Sequence, residues 1–139
     1  MSRVLADTHA IIWTLFDPVR LSAAARTSLE QAEQLGSIAI SSISIVEIQY
    51  LLEKAGFPHR TLLQEIVKLV NAAQNPRFEV LPVTSDIAFA INRIPRSEIP
   101  DMPDRIIAAT AVVHDLSVIS VDSDLRGSPT LNSLLSVIW

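Results

Sequence analysis

Cysteine is absent from the 139 residues, which excludes disulfides, thiolate metal sites and cysteine nucleophiles and fits a reducing cytoplasm. Glycine is scarce: Gly36, Gly56 and Gly127 stand far apart and form no Gly-rich phosphate loop, which argues against a nucleotide-binding Rossmann domain. Lysine occurs only at positions 54 and 68, and the net charge is −4. The chain therefore lacks the basic face with which a protein holds nucleic acid by bulk attraction. If a polyanion is the substrate, something other than net charge has to neutralise it locally. No apolar stretch approaches the roughly 18 to 20 residues of a membrane span, and no charged-then-apolar signal segment opens the sequence.

What is present is apolar. With 49% hydrophobic and 19% charged residues, the composition is that of a compact soluble protein, and the length fits a single domain over residues 1–139 with a sizeable core. Short apolar runs at "VLADT" (4–8), "SIAIS" (37–41), "FEVLPV" (78–83) and "LSVISVD" (116–122) read as strands. Segments of helical period lie between them. One follows Ser22, with Leu21, Ala25, Leu29, Ala32 and Leu35 on one stripe. Another runs from Ser42 to a stop at Gly56, and others cover 60–74, 85–94 and the stretch after "IPDMPD". Short strands alternating with helices predict an α/β domain with a mainly parallel sheet, its strands buried on both faces.

The carboxylates fall in a pattern. Asp7 and Asp122 each follow an apolar strand, at the edge where open α/β sheets bind ligands. A helix cap or a turn explains either one alone. Asp101 and Asp104 precede a long apolar helix; Asp101 reads as its cap, with Asp104 in the first turn, where the helix dipole favours an acid. Glu47 is different. Its helical neighbours Ile43, Ser44, Tyr50 and Leu51 include no base, whereas Glu65 has Lys68 three residues on. A carboxylate on an apolar face is costly unless a charge or donor meets it. Asp7, Glu47, Asp104 and Asp122 can all project to one sheet edge, where they would repel one another unless a cation joins them. Hard oxygen ligands without Cys or a His pair select Mg²⁺ or Mn²⁺. Such a cation would supply the missing local charge and activate a water.

The ordered set "ADTHAIIW", Glu47 within "SISIVEIQYL", "DMPDRIIAATA" and "ISVDSDL" resembles the PIN-domain family of metal-dependent ribonucleases, and within it the VapC-type toxins of toxin–antitoxin modules. The ending "SVIW" is similar to endings seen there. The resemblance implies a PIN-like α/β/α sandwich, Mg²⁺-dependent cleavage of RNA, and Asp7, Glu47, Asp104 and Asp122 as metal ligands with Thr8 in support. It also implies a homodimer held inactive by a cognate antitoxin. Asp124 is a candidate for contact with metal-bound water, and Arg105 and Arg126 for phosphates, although turns and helix ends explain all three. Two positions depart from the family pattern: Pro103 stands where an aromatic is common, and Ser120 where Thr is. Neither is expected to touch a ligand. His9 reads as packed or solvent-facing, and Trp13, Tyr50 and Met102 as packing. A phosphoacceptor receiver domain is disfavoured, because Asp7 lacks an acidic partner and no lysine follows the last strand. The non-enzymatic alternative is a PIN-like scaffold without activity.

Overall fold

The computed structural model describes residues 3–54 and 61–139. Strand β1 (Val4–Ala6) leads into helix α1 (Thr8–Phe16) and a 3₁₀ turn (Pro18–Arg20), followed by α2 (Ala23–Leu35), β2 (Ile38–Ser41) and α3 (Ser42–Glu53). Beyond the residues left undescribed come α4 (Leu62–Val70), β3 (Phe78–Leu81), α5 (Ser85–Ala90), a second 3₁₀ turn (Ile91–Arg93) and α6 (Met102–His114). The chain finishes with β4 (Ser117–Ile119), α7 (Ser123–Gly127), α8 (Pro129–Leu134) and β5 (Val137–Ile138). Among the described residues the strands form one five-stranded sheet, ordered β3-β2-β1-β4-β5, with every pairing parallel.

Alternation along these strands makes two cores. Val4, Ala6, Ile38, Ile40 and Ile119 face one side, where residues of α1, α2, α3 and α4 cover them; Ala10, Ile11, Leu29, Ile48 and Ile66 are examples. Leu5, Ala39 and Val118 face the other side, against Ile107 and Ala111 of α6, Leu125 of α7 and Leu131 of α8. A period of two on a sheet with apolar residues in both phases demands helices on both faces. The result is the α/β/α sandwich expected from the sequence. Parallel strands also end at one edge. Because β1 is followed by β2 on one side but lies next to β4 on the other, the switch point falls between the ends of β1 and β4.

Several elements differ from the sequence reading. Ser22 caps α2 as expected, but Leu35 at the end of the stripe is 58% exposed, because the helix stops there and Gly36 turns the chain away. Helix α3 ends at Glu53; the expected glycine stop at Gly56 lies outside the described residues. Helix α4 ends at Val70, ahead of the polar residues up to Pro76. The segment 85–94 is a short helix plus a 3₁₀ turn, since Pro95 forces Ile94 into an extended conformation. Strand β5 and helices α7 and α8 are too short to show a period.

The loop ahead of α6 is fastened to the far end of the chain. Glu98 Oε1 accepts from Ser128 Oγ (2.7 Å) and Thr130 N (2.9 Å), and Oε2 accepts from Thr130 Oγ1 (2.7 Å). These donors, led by Ser128, hold the Glu98 carboxyl below the usual range. A depressed carboxyl contributes stability above its unfolded pKa and loses it as pH falls through the folded one. Glu98→Gln is therefore expected to lower Tm by a few degrees at pH 7, and the deficit should shrink as pH falls below the ordinary Glu range. Thermal melts across that range check it.

Candidate active site

The register of β1 and β4 builds the centre. Ala6 pairs with Ile119, so the next residues, Asp7 and Ser120, emerge side by side. The Asp7 amide still donates to the Ile119 carbonyl (3.1 Å). Its side chain then caps α1, with Oδ1 accepting from Ala10 N (2.8 Å), while Oδ2 accepts from Ser120 Oγ. Ser120 Oγ in turn accepts from Asp122 N (3.0 Å). Ser120 was expected to touch no ligand. Instead it contacts Asp7 directly, because parallel pairing makes it the neighbour of Asp7 at the strand ends. Asp122 caps α7, its Oδ1 accepting from Asp124 N (2.9 Å) and Leu125 N (3.1 Å).

Glu47 arrives from α3 and meets α1. Thr8 Oγ1 donates to Glu47 Oε1 at 2.6 Å and lies 3.0 Å from Ser44 Oγ, one helical turn before Glu47. The donor that an apolar-face glutamate requires is thus Thr8, itself buried. Asp104 comes from the first turn of α6, its amide donating to the cap Asp101 Oδ2 (3.1 Å). Asp7, Thr8, Glu47, Asp104 and Asp122 line one cavity of about 410 Å³. The same cavity is lined by Asp101, His9 and Trp13. Sequence reasoning gave Asp101 only a capping role and gave Trp13 only packing. His9 and Trp13 lie four residues apart on α1, which faces the cavity once Asp7 is its cap. The Trp13 ring also meets those of His9 (5.8 Å) and Trp139 (5.5 Å), with the Arg20 guanidinium 4.4 Å from its centre.

Two candidate supports fall elsewhere. Arg105 does not line this cavity; its guanidinium donates to the carbonyls of Ile94 (2.7 and 3.2 Å) and Ile91 (3.2 Å). One residue beyond Asp104 on a helix is about 100° around the axis, which turns Arg105 toward the second 3₁₀ turn. Asp124 is exposed in the first turn of α7 and lies outside the cavity wall. Arg126 is also exposed.

Concentrated negative charge shapes the electrostatics. Burial pushes the Asp104 carboxyl up to about 8, with Asp122, Asp101, Glu47 and Asp7 adding repulsion in that order. Burial also raises Asp7, against the hydrogen bonds from Ser120 and Ala10, and raises Glu47 against the one from Thr8. Among the described residues, no three His, Cys, Asp or Glu side chains stand close enough together to hold a metal ion. Three of the carboxylates are drawn instead onto donors of their own chain, while Asp104 accepts no side-chain hydrogen bond among the described residues. The donor set nevertheless fits a hard divalent cation: it is all oxygen, it shares one cavity, and its members destabilise each other's charged forms.

Residues 4–127 match the family model of the PIN domain. Ribonuclease VapC22 of Mycobacterium tuberculosis is 31% identical over 130 residues, covering 91% of this chain and 92% of that protein. Among solved structures, VapBC2 from Rickettsia felis, bound to a DNA fragment from their promoter, is similar with a TM-score of 0.67 at 16% identity, over 96% of each chain. DNA-bound VapBC from Salmonella typhimurium gives 0.65 at 23% identity, over 99% of this chain and 97% of that one. These two structural likenesses show the fold.

A carboxyl raised in the folded state makes folding less favourable as pH climbs from its unfolded to its folded pKa, because the native chain binds the extra proton. In EDTA, wild-type stability should therefore fall between about pH 4 and pH 8 by the Asp104 contribution. Asp104→Asn is expected to melt a few degrees above wild type at pH 8 in EDTA, with the gap closing toward pH 4. An Asn variant that melts lower at pH 8 would refute the repulsion.

Proposed function

The chain belongs to the PIN domain family, and on that premise we propose that it is a divalent-metal-dependent ribonuclease, the toxin of a toxin–antitoxin pair. One observation carries the reading: carboxylates from four distant segments, at positions 7, 47, 104 and 122, line a single cavity at the carboxyl edge of a parallel sheet. The 31% identity to a ribonuclease over nearly the whole of both chains supports it.

Asp7, Glu47, Asp104 and Asp122 would hold Mg²⁺ or Mn²⁺, which when bound supplies positive charge and Lewis acidity for phosphodiester hydrolysis. The chain's part is positioning. Ser120 and the Ala10 amide fix both oxygens of Asp7, and Thr8 fixes one oxygen of Glu47. Asp104, raised to about 8 and accepting no side-chain hydrogen bond among the described residues, would be available to hold the cation as its carboxylate. In the proposed reaction a water oxygen bonds to phosphorus in line with the leaving group. The P–O3′ bond breaks and the 3′-oxygen takes a proton, leaving 5′-phosphate and 3′-hydroxyl ends. Arg105 is assigned no part in this, because it does not line the cavity and its Nε and Nη2 donate to backbone carbonyls. The cognate antitoxin is expected to meet the carboxylate cavity with Arg or Lys, and the active form to be a homodimer in the cytoplasm. No described helix is long and apolar enough to cross a membrane.

Purified protein should cleave RNA with Mg²⁺ or Mn²⁺ and not in EDTA. Asp104→Asn should cost more than the ~10–100-fold that losing a supporting group costs. Products should carry 5′-phosphates; a 2′,3′-cyclic phosphate would exclude the mechanism. Cleavage that survives both EDTA and the substitution would come from a contaminant. Absence of cleavage together with a Tm indifferent to millimolar Mg²⁺ would favour the inactive scaffold.

A further inference from the structure

A second cavity, of about 340 Å³, opens beside the carboxylate cavity and shares Thr8, His9 and Glu47 with it. Beyond those shared residues its wall is largely apolar, with Val46 and Tyr50 from α3 facing Met102 and Pro103 at the start of α6. Tyr50 is 68% exposed and Met102 63%, so neither is the packing residue that the sequence suggested. Glu47, Tyr50 and Leu51 share one stripe of α3, and Lys54, the residue that caps the end of that helix, lines the same cavity. The groove therefore runs along α3 from the carboxylates to Lys54, about 10 Å along the axis at 1.5 Å per residue. Lys54 makes no ion pair among the described residues.

An occupant reaching out of the carboxylate cavity thus meets three surfaces in order. The first is a site that gathers positive charge, the second a flat apolar wall with an aromatic ring, and the third an ammonium group. A single nucleic-acid strand offers the matching series of phosphate, base and phosphate. The volume lies at the small end of ligand cavities, enough for one nucleoside. We propose that this groove is a base-binding subsite of the RNA substrate. The base next to the scissile phosphate lies against Tyr50 and Met102, and Lys54 takes the following phosphate. The inference rests on the nuclease reading above.

The test uses an RNA that the wild-type chain cleaves in the metal-dependent assay. Tyr50→Ala is expected to raise KM about 10-fold, within the range for loss of one base–aromatic stack, with kcat little changed, and Tyr50→Phe to restore it. Lys54→Gln should also raise KM and should flatten the plot of log kcat/KM against log salt by about 0.7, the value for one single-strand phosphate contact. An abasic nucleotide beside the cut bond should cost as much as Tyr50→Ala, and combining the two should add little. Both side chains are exposed, so the variants should melt like wild type. KM values unchanged in both variants overturn the inference while leaving the nuclease intact. The same holds if Tyr50→Ala alters only the oligomeric state, which assigns the groove to a second copy, or only binding of the antitoxin, which assigns it to a peptide. A wild-type chain that cleaves no RNA removes the nuclease reading and this subsite together.

Discussion

Like-charge repulsion at the carboxyl edge of the sheet is the constraint around which the rest of this molecule is arranged. Asp7, Glu47, Asp101, Asp104 and Asp122 face one cavity. The parallel sheet is what gathers them, since every strand delivers its following residue to the same edge. An antiparallel meander would send alternate strand ends to opposite edges and separate Asp7 from Asp122. The gathering has a cost: burial at this edge first, and mutual repulsion after it, raise the carboxyls of Asp7, Glu47 and Asp104. Apolar packing on both faces holds the edge together despite it, because β1 lies between two cores and cannot withdraw Asp7 without exposing Leu5 or Val4.

Helix capping and charge clustering reinforce each other here. Asp7, Asp101 and Asp122 each accept from backbone amides at a helix start. A capping carboxylate is favoured by the helix dipole, so the local field offsets part of the repulsion. Capping also aims the side chain. A carboxylate has about four acceptor sites on two oxygens, and one or two amides leave the rest directed away from the helix start. For Asp122 both cap bonds fall on Oδ1, and among the described residues Oδ2 accepts none. The geometry that caps these helices is therefore also the geometry that turns the free carboxylate lone pairs toward the cavity.

This double use explains what could be read from sequence. The strands were legible because buried parallel strands are short Val/Ile runs, and Asp7 and Asp122 because they terminate those runs. Glu47 stood out through the lack of a basic neighbour, and its answer, Thr8, lies 39 residues away in sequence. Ser120 was not legible as a partner of Asp7, since only the β1–β4 register brings them together. Arg105 sits next to Asp104 in sequence yet is turned toward Ile91 and Ile94 by helical geometry. Asp101 was read correctly as a cap, but a capping pattern carries no information about which cavity the same carboxyl borders. Tyr50 followed the helical period of its apolar neighbours while remaining exposed, and periodicity alone does not separate a buried stripe from a groove wall.

The acidic composition is then no obstacle to a polyanionic substrate. A net charge of −4 gives no long-range attraction for RNA, so affinity has to come from short-range contacts. Repulsion among the carboxylates makes their shared cavity the place where positive charge is most favoured, and the apolar wall beside it is a surface whose contacts are insensitive to salt. With 11 basic against 15 acidic side chains, the surface as a whole gives phosphates no net attraction. If the proposed subsite holds, discrimination among RNA sequences comes from contacts at and beside the cleavage point rather than from total charge.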